Sequence, residues 1–263
     1  MQVQPGTRVS LQDYDPGDTG AYKSAKEADE HLREQIEDLV KLQNLLYADG
    51  RYAVLVVLQG MDTSGKDGTI RHVMSGLSPL GVEVRAFKAP NDEERTHDFL
   101  WRVHKAVPPL RYIGIFNRSH YEDVLVVRVH ELVPREVWKT RYEQINDFEK
   151  SLTQNNLVIL KFFLHISKKE QKRRLEKRLQ DPTRYWKFSL KDIEERKYWS
   201  AYRKAYEAAL SRCSTAWAPW HIVPADHKWY RNLVVAEVLV KTLHDLDLNY
   251  PKPTVDISKI TVK

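Results

Sequence analysis

The sequence predicts an α/β chain: a central parallel sheet of about five strands with helices on both faces. Three observations predict it. Apolar, β-branched runs recur at residues 52–59, 82–87, 112–116, 157–166 and 220–223. Stretches of helical spacing separate them, which implies right-handed crossovers between parallel strands. A glycine-rich turn, residues 60–68, joins the first run to a helical stretch.

Taken in order, residues 1–23 carry Pro5, Gly6, Pro16, Gly17 and Gly20 and read as an irregular arm. Between 24 and 47, Ala28, Leu32, Ile36, Leu39, Val40 and Leu46 recur at helical steps, and Asp49-Gly50 closes the helix. The run 52–59, YAVLVVLQ, reads as a buried strand, and TIRHVMSGL after the glycine turn reads as a helix. VEVRAF is the second strand. Residues 91–105 read as one helix, opened by the N-cap Asn91 and closed before Pro108-Pro109. YIGIF is the third strand. Pro134 opens a helix over 135–154. LVILKFFLHI and WHIV are the fourth and fifth strands, and residues 229–246 form the last helix. Nothing divides the chain, so 1–263 is expected to be a single domain with an N-terminal arm (1–23), a lid region (167–199) and a C-terminal tail (249–263).

A net charge of +6 and an isoelectric point near 9.2 favour a polyanionic partner. Cys213 is the only cysteine, which excludes an internal disulfide and a cysteine-rich metal site. There is no signal-like start and no apolar run of membrane-spanning length, so a cytoplasmic enzyme is expected. His97, His104 and His120 lack metal-ligand spacing, and Trp138 with Tyr142 is simplest as core.

Gly60-Met61-Asp62-Thr63-Ser64-Gly65-Lys66-Asp67-Gly68 has the G-x-x-x-x-G-K spacing of a phosphate-binding P-loop, in the strand–turn–helix context it requires. Glycines let the backbone curl around an anion, the helix start offers free N–H groups, and Lys66 adds a full charge. Asp67 stands where Ser or Thr usually meets magnesium. Asp62 beside phosphates requires a metal ion between them. The third strand delivers Asn117-Arg118-Ser119-His120-Tyr121-Glu122-Asp123 to a neighbouring strand end. There Arg118 can fork onto phosphate, and Glu122 and Asp123 either supply a metal carboxylate or merely favour a helix start. Lys88 and Arg102 either line a phosphate groove or serve structure and solubility. Residues 167–199 are rich in lysine, arginine and aromatics, which suits a lid over phosphates or a nucleic-acid surface. Ser167 and Glu170 have capping-box spacing.

The loop GMDTSGKDGT, the segment FNRSHYEDVLV and the lid segment RLQDPTRYWKFSLKD together resemble the polyphosphate kinase 2 family over most of the chain. The resemblance implies a three-layer P-loop kinase fold, thymidylate-kinase-like with a helical lid. It implies phosphate transfer between inorganic polyphosphate and AMP or ADP, with Mg²⁺ or Mn²⁺. Other purine nucleotides are possible acceptors, and a homodimer or homotetramer is expected. It assigns Lys66, Gly65, Asp67 and Gly68 to substrate, Asp62 and Asp123 to metal, Arg118 to phosphate and Glu122 to nucleotide selection. Arg178 and Lys187 close from the lid. Members often have Asp in place of Asn117 and Asn-Arg in place of Glu122-Asp123, which resembles the subgroup accepting mono- and diphosphates. An ATP-dependent nucleoside monophosphate kinase is the first alternative, although the absence of Ser or Thr after Lys66 counts against it. A non-enzymatic nucleic-acid-binding protein is the remote one.

Overall fold

Five parallel strands form one sheet in the order β2-β3-β1-β4-β5. They are β1 (Ala53–Gln59), β2 (Val82–Ala86), β3 (Ile113–Asn117), β4 (Leu157–His165) and β5 (Trp220–Pro224). The computed structural model describes residues 1–262, apart from the side chains of Arg184, Lys187 and Ser258. In the central register Leu55 lies opposite Gly114 on one side and Ile159 on the other. Every residue of β1 is buried. A middle strand covered on both faces needs no polar alternation, which is why its sequence is a continuous apolar run.

Helices cover both faces. On one, α1 (Ala25–Asp49) packs along α10 (Lys228–His244), and α10 also packs on α2 (Lys66–Val73). Ser24 caps the start of α1, and Gly50 ends it at φ +75°, returning its N–H to the Leu46 carbonyl. On the other, α6 (Arg135–Thr153) packs against β4 and α9 (Trp199–Cys213), with the short α5 (Val126–Val129) beside them. The N-terminal arm is docked rather than loose. Gln2 bridges His221 antiparallel to β5, and Val3, Val9 and Leu11 are buried, so the arm covers that sheet edge.

The expected helix over 91–105 is two short ones, α3 (Asp92–Arg95) and α4 (Trp101–His104). Asn91 does open α3, with a reciprocal capping box to Glu94. The break comes at Asp98, whose carboxylate accepts the Leu100 N–H at 2.9 Å and so competes with the helical bond. The lid region contains α7 (Lys168–Leu179), a 3-10 turn (Pro182–Lys187) and α8 (Leu190–Glu195). Ser167 caps α7, but only half the predicted box forms. Glu170 turns to Arg173 and Arg174, and the Ser167 N–H donates to Asp226 instead.

Strand order places the site. The chain leaves β1 for the sheet edge at β2, returns in β3, then crosses to β4 on the far side of β1. The carboxyl ends of β1 and β3 therefore open onto the crevice where such sheets bind ligands. Among the described residues, no helix is long and apolar enough to cross a membrane.

Candidate active site

The loop after β1 is shaped by backbone that ordinary residues resist. Gly60 and Gly65 have φ +155° and +108°, and Thr63 joins them at +63°. A Cβ on Gly60 would lie 2.7 Å from the Leu164 carbonyl, and one on Gly65 would fall inside the Arg231 guanidinium. Glycine at 65 thus serves two needs, a left-handed turn and the close approach of an arginine. Gly65→Ala is expected to abolish turnover and to destabilise the fold by about 1–3 kcal/mol, read by steady-state assay and thermal melting.

Two arginines hold the loop's backbone. Arg174 of α7 donates to the Thr63 and Ser64 carbonyls at 2.9 and 3.2 Å, and its other nitrogens reach the Ala225 and Asp226 carbonyls and Glu170. Arg231 of α10 donates to the Ser64 carbonyl at 3.2 Å and to Asn232. Both arginines also line the cavity described below, so they hold the loop's backbone and add charge beside it. Burial, reinforced by Arg174, pushes the Arg231 guanidinium down to about 9. Neither arginine is singled out by local sequence, because each reaches the loop from a remote segment. The signal for Arg231 is its position shortly after β5, where ligand-binding ends of strands gather.

Lys66 opens α2, 8 % exposed, and donates to the Gly60 and Met61 carbonyls at 2.8 and 3.3 Å. Burial, with Arg118 nearby, lowers its ammonium to about 8. An arriving phosphate would stabilise the charged form that the protein alone holds weakly.

Arg118 follows β3 with φ +62° and forks between two carboxylates: Asp62 at 2.7 Å and Glu122 at 3.4 Å. Glu122, with burial opposing it and Asp62 adding to it, pushes the Arg118 guanidinium further up. Glu122 also accepts from Gln59 at 3.0 Å. Asn117 donates to Asp67 at 2.7 Å. Asp123 does not join this group. It pairs with Arg141 at 3.0 Å and does not line the cavity described below. The reason is local: His120–Val124 is a 3-10 turn, whose successive side chains point about 120° apart, so Glu122 facing Arg118 turns Asp123 away. Asp123, expected to bind metal, is here held on Arg141.

These groups line a cavity of about 720 Å³. Asp62, Gly65, Lys66, Asp67 and Gly68 form one wall, and Arg118 and Lys88 approach from the ends of β3 and β2. Arg173, Lys177 and Arg178 of α7 form the opposite side, with Trp186 and Asp192 from the lid. Arg71 of α2 and Lys228 of α10 extend it. Among the described lining residues ten Lys and Arg face three Asp. Arg102 is not among them. It lies under Phe87, donates to the Lys88 carbonyl at 2.8 Å and pairs with Glu94, which is the structural alternative. Arg178 pairs with Asp192 at 3.1 Å across the lid. The Lys187 side chain lies outside the described residues.

Among the described residues, no group of three or more His, Cys, Asp and Glu is placed to hold a metal ion. Mg²⁺ does not demand one, since it takes one or two carboxylates together with water and substrate phosphates. Asp62 and Asp192 both line the cavity, and burial followed by repulsion from Asp62 pushes the Asp192 carboxyl up. Two carboxylates on one cavity wall and lid are the kind of donor such an ion takes beside substrate phosphates.

Comparison with known proteins agrees with this geometry. The family model described as Polyphosphate kinase 2 matches residues 22–251. An AMP/ADP-polyphosphate phosphotransferase of Meiothermus ruber is 51% identical over 100% of this chain and 98% of its own. An ADP-polyphosphate phosphotransferase of Rhodopseudomonas palustris is 44% identical over 97% of this chain and 92% of its own. The crystal structure of polyphosphate kinase 2 from Arthrobacter aurescens TC1 superposes with a TM-score of 0.94 at 44% identity, covering 97% of this chain and 92% of that one. With its P-loop braced by two arginines, its cationic cavity and a family match across nearly all of its length, the chain belongs to the polyphosphate kinase 2 family.

Proposed function

We propose that this enzyme transfers the terminal phosphate of inorganic polyphosphate to AMP and ADP, giving ADP and ATP reversibly. One observation supports it above all: the excess of cations continues past the P-loop along α7 and α10, through Arg173, Lys177 and Lys228. A single nucleotide needs few of these, whereas a flexible chain of phosphates presents a negative charge at every unit.

In this reading the loop N–H groups and Lys66 hold the phosphate being transferred, with Gly65, Asp67 and Gly68 shaping the nest. Arg118 neutralises its equatorial oxygens, and Arg178 and Lys88 contact donor or acceptor phosphates. Asp62 would hold Mg²⁺, or Mn²⁺ in its place, and the ion would supply charge neutralisation for the anionic substrates. The attacking group is a nucleotide phosphate oxygen. It is already an anion, so no general base is required, and positioning with charge stabilisation carries the catalysis. Glu122 reaches the reaction only through Arg118.

The test is to incubate the protein with polyphosphate, Mg²⁺ and AMP in the absence of ATP, and to resolve nucleotides over time. ADP is expected first and ATP after it. Phosphorylation of AMP only when ATP is supplied would instead make the protein an ATP-dependent nucleoside monophosphate kinase.

A further inference from the structure

Gln59 is the last residue of β1, completely buried, and the one polar side chain in that strand. It does not line the cavity. Its Nε2 donates to Glu122 Oε1 at 3.0 Å, while its Oε1 is buried without a hydrogen-bond partner. Turning the amide over would set oxygen against carboxylate, so the donor must face Glu122. A buried acceptor left unsatisfied is a cost to folding, and an apolar side chain of the same size would remove it. The same change would also take a donor from the Glu122 carboxylate, so its effects on stability oppose one another, and the plain consequence of the amide is where it holds Glu122.

From Gln59 a chain of contacts runs into the site. The second Glu122 oxygen accepts from Arg118 Nη1 at 3.4 Å, and Arg118 Nη2 donates to Asp62 Oδ1 at 2.7 Å. Arg118 is thus aimed by two carboxylates, one of which, Asp62, is the proposed metal ligand. A carboxylate drawn toward a cation holds an arginine less well. Glu122 is then the anchor that keeps Arg118 over the reacting phosphate, and it does so only if its own rotamer is fixed. The Gln59 amide fixes it by occupying the oxygen that Arg118 does not use. A glutamate at 59 would oppose Glu122 with like charge, and an apolar residue would leave it free to swing.

We infer that Gln59 is a positioning residue for phosphate transfer, acting through Glu122 to hold Arg118 in the cavity. The inference rests on the functional reading above.

The experiment is a double-mutant cycle on the full chain: Gln59→Met, Glu122→Gln and the pair, each assayed with polyphosphate, AMP and Mg²⁺, with melting temperatures measured in parallel. Gln59→Met is expected to lower kcat about tenfold, to leave KM for polyphosphate within about twofold, and to shift the melting temperature by only a few degrees, because one unpaired acceptor is removed and another is created. In the Glu122→Gln background it should cost nothing more, because its only route to the chemistry is already cut. Wild-type kcat in Gln59→Met, a rise in KM for polyphosphate with kcat unchanged, losses that multiply in the double variant, or a melting transition that reaches the assay temperature would each overturn the inference. Wild-type protein that forms no ADP from polyphosphate would overturn the functional reading, and this role with it.

Discussion

Lys66→Met lowers kcat/KM for transfer from polyphosphate by about a thousandfold, equivalent to about 4 kcal/mol, and leaves the protein folded. The size follows from position. The ammonium sits at the head of α2, in a loop whose Ser64 carbonyl is held by both Arg174 and Arg231. Its charge is needed when phosphate negative charge must be held away from water. Stability is spared because the free protein gains little from it: burial lowers its ammonium to about 8. The same shift gives a pH signature. As pH rises through about 8 the free enzyme loses this proton and its cation, so kcat/KM of the wild type falls above that point. Bound phosphate favours the charged form, so kcat should hold to higher pH. Steady-state kinetics from pH 6 to 10 check both statements, and a kcat/KM that is flat across the range contradicts them.

Lys161→Met unfolds rather than inactivates, costing about 3–5 kcal/mol in thermal or urea melting. Lys161 lies in the middle of β4, fully buried, and donates to Glu149 at 2.5 Å, to the Tyr121 hydroxyl at 2.8 Å and to the Cys213 carbonyl at 2.6 Å. Tyr121 in turn donates to Glu149 at 2.9 Å, and His120 completes the cluster. Removing the lysine leaves a buried carboxylate without its cation. The double variant Lys161→Met, Glu149→Gln removes both charges and should regain most of the loss. Burial pushes the Glu149 carboxyl up, but Lys161 and His120 outweigh it and hold it below its ordinary value. A carboxyl depressed in the folded state adds stability above the ordinary carboxylate range and loses it as pH falls through the folded value. The pair's contribution should therefore vanish in acid, and the gap between wild type and Lys161→Met should narrow there. His120 and Tyr121 of this network belong to the same 3-10 turn as Glu122.

How far the sequence reaches depends on whether a signal is local. The strand before the P-loop is legible because a covered parallel strand is apolar throughout, and the loop is legible because its glycines answer to backbone geometry. Arg118 is legible from its place at a strand end. Asp123 misleads, because adjacency in sequence hides the turn that points it at Arg141. Asp192 carries no signal of its own in the sequence, yet the packing of α8 brings it to the cavity. Arg174 and Arg231 reach the Ser64 carbonyl across 110 and 167 residues, and only the packing of α7 and α10 brings them there. The fourth strand is legible with Lys161 inside it, but the lysine's partner, Glu149, 12 residues away on α6, is not.

The central claim is that the nest at residues 60–68 holds the phosphate that leaves the polymer. A crystal structure with a non-hydrolysable polyphosphate and Mg²⁺ tests it most directly. The account predicts the terminal phosphate against the N–H groups of Gly65 to Gly68 and the Lys66 ammonium, with Asp62 turned from Arg118 to the metal. Polyphosphate bound along the lid while the nest stays vacant and Asp62 remains on Arg118 would contradict it.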